Sequence, residues 1–203
     1  MSGNWVIGIT GASGAAYGVR LIQVLLDLGM QVHVIITEAG WRVLHDELDW
    51  QVTKRKEMLQ QHFGNRLGAY EFHPIADIGA SVASGSFRTK GMVVIPCSMG
   101  TLSGIAHGSS DNLLERTADV MLKEGRKLIL VPRETPLHAI HLENMLTLSK
   151  MGVRMLPAMP AFYNRPRSIE EMVDFLVGKV LDSMEIEHSL YRRWGEDHEQ
   201  PRP

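Results

Sequence analysis

Short apolar runs alternate with longer stretches whose apolar residues recur every three or four positions, and this alternation persists along most of the chain. Residues 5–10 are an apolar run suited to a strand buried on both faces; residues 15–28 then carry Val19, Leu21, Ile22, Leu25 and Leu26 at helical spacing, closed by Gly29. A second run rich in β-branched residues, 31–36, leads through Thr37 into a helical pattern containing Val43, Leu44 and Leu48. Polar residues dominate 49–73, where the pattern predicts a helix near 54–62 and a short strand over 70–73. Residues 75–89 are small and flexible and read as a binding loop. Buried strands are expected at 91–96 and 127–131, helices at 112–124 and 137–151, a further strand at 153–156, and a last helix capped by Ser168 that runs to Leu181.

Strand and helix alternating in this way imply an α/β fold, a parallel sheet in a Rossmann-like three-layer α/β/α arrangement. Right-handed crossovers place all the strands' carboxyl ends on one side, where open sheets of this kind bind ligands. That edge is expected to collect Ser13, Thr37, Ser98, Thr101, Arg133 and Glu134: hydroxyls, one cation and one carboxylate. The turn after the first strand has glycines at 8, 11 and 14, a spacing that matches neither the dinucleotide fingerprint nor the lysine-bearing P-loop. It favours a mononucleotide or flavin phosphate held at a helix N-terminus, with Ser13 as the expected N-cap.

Composition narrows the class. A formal charge of −2 over 203 residues gives no electrostatic basis for binding nucleic acid or an anionic membrane. No apolar run approaches the roughly 20 residues that span a bilayer, and the start of the chain lacks the pattern of a secretory leader. A single cysteine, Cys97, cannot form an internal disulfide, so a cytoplasmic location is expected, with Cys97 as a small packing residue. Residues 1–194 read as one domain and 195–203 as a polar tail. His138, His141 and Glu143 lie close on one predicted helix but lack a third strong ligand at diagnostic spacing, so no metal site is assigned. Phe87, Tyr163 and Trp194 are aromatic candidates for stacking on a flavin or an allyl group.

Four segments carry a family resemblance: GITGASGAAYGVRL at 8–21, ASGSFRTKGMVVIPCSMGTLSGIAHG at 83–108, LLERTADVMLKEGRKLILVPRETPLH at 113–138 and PAMPAFYNRP at 157–166. The chain resembles the UbiX-type flavin prenyltransferases, the small partners of UbiD-type decarboxylases acting on phenolic acids. The resemblance implies metal-independent transfer of a dimethylallyl group from dimethylallyl phosphate to N5 and C6 of reduced FMN. It also implies a homo-dodecamer whose sites are shared between subunits. FMN would be held at Gly11, Ala12, Ser13, Thr37, Ser98, Met99, Gly100, Thr101 and Arg133. Ser13, Glu47, Lys123 and Glu134 would be catalytic, and Arg116, Lys123, Tyr163 and Lys179 would hold the prenyl phosphate. Phe87 stands where relatives often carry Trp. Two other classes are weighed: an FMN-dependent cysteine decarboxylase, which carries Pro-Ala-Ser-Ala-Asn-Thr where this chain has Pro96-Cys-Ser-Met-Gly-Thr101, and a non-catalytic flavin carrier, which gives no reason for Lys123, Glu134, Tyr163 and Lys179 together.

Overall fold

The computed structural model describes residues 3–193; the expected polar tail and Trp194 lie outside the described residues. Two compact units are distinguished, 1–158 and 159–203. The first holds a six-stranded sheet formed by β1 (Asn4–Ile9), β2 (Gln31–Ile36), β3 (Ala69–His73), β4 (Gly91–Cys97), β5 (Lys127–Pro132) and β6 (Arg154–Met155). The strand order is β3-β2-β1-β4-β5-β6 and every pairing is parallel. The chain moves outward from β1 to β3 and then restarts beside β1 at β4, so the order reverses between β1 and β4. That reversal opens a crevice beyond their carboxyl ends.

Helices cover both faces of the sheet. α1 (Ala15–Asp27) packs with α2 (Glu38–Leu48) and α3 (Arg55–Phe63), while α4 (Met99–His107) packs with α5 (Leu113–Lys123) and α6 (Ala139–Lys150). Two glycines explain how closely the layers approach. A Cβ at Gly18 would stand 2.4 Å from the Ile95 carbonyl oxygen, and one at Gly8 would stand 2.8 Å from Leu114 Cδ1, so α1 and α5 lie almost against the backbone of the central strands. Val6, Ile35, Met92 and Val94 form one core with Leu102, Leu114 and Met121 from the second helical layer.

Two features differ from the pattern-based reading. Residues 99–107 form α4, in a stretch of glycines and hydroxyls to which the pattern assigns no element. The last strand is two residues long, because β6 is an edge strand that pairs with β5 only at Ile129 and Leu130. Cys97 is fully buried in the core, as its apolar surroundings implied, and burial pushes its thiol far up from the ordinary range.

The second unit is built on α7 (Ile169–Met184), capped by Ser168, whose Oγ accepts from Glu171 N at 3.3 Å. Beside it Tyr163 stands edge-on to Phe175 at 5.7 Å between ring centroids, and Phe175 leans on Tyr191 at 5.1 Å. Among the described residues no helix is long and apolar enough to cross a membrane.

Candidate flavin site at the carboxyl edge

Every strand from β1 to β5 except β3 delivers a candidate residue to the same edge. Ser13 follows β1, Thr37 directly follows β2, Ser98 directly follows β4, and Arg133 and Glu134 directly follow β5. Cross-strand bonds hold these turns together. Thr37 N donates to Ile9 O at 3.0 Å, Arg133 N to Cys97 O at 3.2 Å, and Arg133 Nε to Ser13 O at 3.3 Å. Gly11 is required where the first turn presses on α2, since a Cβ there would meet Ala39 Cβ at 2.4 Å. Thr37 and Ser98 are both N-caps: Thr37 Oγ1 accepts from Gly40 N at 2.9 Å, and Ser98 Oγ accepts from Thr101 N at 3.3 Å while donating to Thr101 Oγ1 at 3.1 Å. The first turns of α2 and α4 therefore point their remaining N–H groups, and the positive ends of their dipoles, at the crevice.

Ser13 does not cap α1. Gly14 takes that position with φ of 104°, a left-handed conformation, and it has no side chain to cap with. The capping acid comes from α2 instead: Glu47 Oε2 accepts from Gly14 N at 3.0 Å and from Ala15 N at 2.9 Å, and Oε1 accepts from Gly14 N at 3.1 Å. An anion already sits where the glycine-rich turn was expected to receive one. Phosphate donors are left at the α2 and α4 turns and on Arg133.

Two residues escaped the sequence reading. Thr10 is fully buried, and its Oγ1 donates to Pro96 O at 2.9 Å while accepting from Ser98 N at 2.7 Å. It thereby ties the ends of β1 and β4 across the crevice floor, where Pro96 lacks an N–H to contribute to the ladder. A hydroxyl ending an apolar strand was the only signal. Tyr17, on the first turn of α1, is raised above its ordinary pKa chiefly by burial, with Arg133 pulling it down and Glu47 pushing it up, so its phenol senses both charges. Met99 buries its side chain in the core.

Of the remaining candidates, Lys123 does not join this edge. Lys123 ends α5, four residues before the first residue of β5, and so lies at the amino edge; Arg133 lies beyond the other end of that strand, about 20 Å away at 3.3 Å per residue. Within one chain they do not meet. Lys123 Nζ pairs with Glu124 Oε1 at 2.8 Å, and Arg116 Nη1 with Asp119 Oδ2 at 3.1 Å. Phe87 packs at the amino side too: its ring stands perpendicular to His33 at 5.0 Å, and its carbonyl accepts from Arg126 Nη1 at 2.7 Å. The loop 75–89 thus ends away from the carboxyl edge. Lys179 and Tyr163 belong to the second unit, where Lys179 Nζ lies 3.7 Å from Asp182 Oδ2.

The donor set fits flavin mononucleotide. Hydroxyls at Thr37, Ser98 and Thr101 and the Arg133 guanidinium suit a phosphate, and a Cβ built at Gly100 would meet nothing within 4 Å, so the α4 turn is open to close approach. An open parallel sheet with such an edge defines a mononucleotide-binding α/β protein. Comparison with known proteins narrows this further: the Flavoprotein family model matches residues 2–188. The flavin prenyltransferase UbiX of Halalkalibacterium halodurans is 57% identical over 97% of this chain and 96% of its own. The crystal structure of AnUbiX (PadA1) in complex with FMN and dimethylallyl pyrophosphate superposes with a TM-score of 0.88 at 39% identity, covering 98% of this chain and 100% of that one. A dodecameric FMN-dependent UbiX-like decarboxylase from Escherichia coli O157:H7 gives a TM-score of 0.85 at 46% identity, covering 94% of this chain and 98% of that one. The chain belongs to the UbiX-type flavin prenyltransferases of the flavoprotein family.

Proposed function

We propose that this protein transfers a dimethylallyl group from dimethylallyl phosphate to N5 and C6 of reduced FMN. The observation that carries this reading is the union at one sheet edge of two hydroxyl-capped helix N-termini with Arg133 and Glu134, supported by family membership and by a relative's complex with FMN and dimethylallyl pyrophosphate. When bound, reduced FMN supplies the nucleophilic atoms. The Arg133 guanidinium, braced on Ser13 O, and the α2 and α4 turns fix its phosphate. Ser13 and Glu47 flank the start of α1, where the Glu47 carboxyl group is held by the N–H groups of Gly14 and Ala15.

Glu134 is assigned as the base that takes the proton released when C6 forms its bond; it leaves β5 beside Arg133, and its Oε1 accepts from Thr135 N at 2.9 Å. Arg116, Lys123, Lys179 and Tyr163 are assigned to the leaving phosphate, replacing the metal ion used by many phosphate-handling enzymes. The position of Lys123 at the amino edge means that it serves this chemistry only from a second copy. A homo-oligomer with shared sites meets that need, and dodecameric assembly of the Escherichia coli relative supports it. The product would pass to a UbiD-type decarboxylase, and a single cysteine supports a cytoplasmic setting.

The test is anaerobic incubation of the protein with reduced FMN and dimethylallyl phosphate, followed by mass spectrometry of the flavin. A flavin heavier by the five-carbon group is expected. Recovery of unmodified FMN alone overturns the reading.

A further inference from the structure

One polar cluster lies outside the flavin edge. His33 on β2 pairs in register with Glu71 on β3, and His73 follows two residues later, so the strand pleat directs all three side chains to one face of the sheet. His33 Nδ1 lies 2.9 Å from His73 Nε2, Glu71 Oε2 lies 3.5 Å from His33 Nδ1, and Glu71 Oε1 lies 3.8 Å from His73 Nε2. The set offers three ligand atoms within 4.8 Å of one another.

We propose that His33, Glu71 and His73 form a binding site for a divalent transition-metal ion of the zinc class. Metal–ligand bonds of about 2.0–2.2 Å in a tetrahedron separate ligand atoms by roughly 3.3–3.5 Å; the two imidazole nitrogens stand 2.9 Å apart and each has one Glu71 oxygen at 3.5 or 3.8 Å, so small side-chain shifts bring the three ligands to that spacing. Two imidazole nitrogens and one carboxylate suit zinc, cobalt or nickel and are poor for magnesium or calcium, which take oxygen. Three protein ligands leave the fourth position to water.

The electrostatics agree. His33 and His73 are 1% and 5% exposed, and burial, the largest influence on each, disfavours the protonated ring. Glu71 and Asp77 add negative potential at His73. The Glu71 side chain is 56% exposed and opens a path from solvent. An ion at this point would clamp the edge strand β3 to β2. This site rests on no part of the prenyl-transfer reading.

Nothing local marks this cluster, because His33 and His73 are 40 residues apart, and the histidines that drew notice, His138 and His141, are a stacked pair at the N-terminus of α6 with centroids 3.4 Å apart. That pair supplies a control. Full-length protein treated with EDTA and desalted is titrated with zinc chloride by isothermal titration calorimetry, and its thermal midpoint is read with and without zinc. One zinc per chain and a raised midpoint are expected for the parent and for His138→Ala, with magnesium without effect. Glu71→Gln and His73→Gln should each weaken zinc binding at least tenfold and abolish the shift in midpoint. Because the Glu71 carboxylate is largely exposed, Glu71→Gln tests the site even if His73→Gln does not fold. Absence of zinc binding by the parent, or binding unchanged in Glu71→Gln, overturns the proposal.

Discussion

Glu47 Oε2 accepts N–H groups from Gly14 at 3.0 Å and from Ala15 at 2.9 Å, so a carboxylate 33 positions along the chain closes the helix that the first glycine turn opens. The contact joins α1 to α2 and satisfies donors that would otherwise face the crevice. Glu47→Ala should therefore lower stability by about 1–2 kcal/mol, the usual cost of losing a cap with a favourable dipole charge. Urea denaturation measures it, and a midpoint equal to the parent's contradicts the assigned contribution. Inorganic phosphate should raise the midpoint of Glu47→Ala more than that of the parent, since the freed amides then accept an external anion.

Replacing Ser13 and Thr37 together by Val should yield protein that purifies without yellow colour. Thr37→Val also removes the cap that accepts from Gly40 N, at a cost of about 1 kcal/mol, so circular dichroism must first confirm native helix content. A folded double variant that retains the parent's flavin absorbance removes these turns from the FMN site.

Lys179 and Glu134 should fail differently. Lys179→Ala removes a charge assigned to the prenyl phosphate, a contact worth about 1.5–3 kcal/mol, so the donor's apparent affinity should fall roughly tenfold or more while FMN remains bound. Glu134→Gln should leave donor affinity near the parent's and slow product formation by about 10²–10⁴. Steady-state kinetics under anaerobic conditions separates the two, and parental rates in either variant withdraw that residue's role.

The second unit should be acid-labile at one carboxylate. Burial alone would raise Asp182, but hydrogen bonds from Tyr191, Arg193 and His188 outweigh it and bring the group down to about 2. A depressed folded-state value stabilises above the ordinary carboxylate range, and the contribution is lost as pH falls through roughly 4 towards 2. Acid unfolding followed by the fluorescence of the Tyr191 region should show this step, and Asp182→Asn should lack it. Burial first, and then the bond to Asp182, push Tyr191 up to about 12.

Chelation should leave prenyl transfer intact, because cationic side chains and not a metal ion are assigned to the leaving phosphate. Turnover that disappears in EDTA and returns with magnesium contradicts that assignment.

The sheet and most helices were legible because β1, β2, β4 and β5 are near-continuous apolar runs and α1, α5 and α7 carry clean amphipathic spacing. α4 was not, since Met99-Gly-Thr-Leu-Ser-Gly places two glycines where propensity opposes a helix, and the Ser98 cap with tertiary packing overrides it. The edge residues Ser13, Thr37, Ser98, Arg133 and Glu134 could be placed because topology alone puts strand ends together. Contacts set by side-chain reach could not: nothing local announces that Glu47 folds back onto Gly14, that Thr10 bridges to Pro96 and Ser98, or that His33 meets His73 across a strand register.

The length of β5 holds Lys123 and Arg133 at opposite ends of the sheet. If both serve one reaction, a newly synthesised chain is silent until it meets others like itself, and turnover per chain falls on dilution more steeply than flavin binding does. Protein concentration then acts as a threshold: reduced flavin is committed to product only once enough subunits have been made to finish the job.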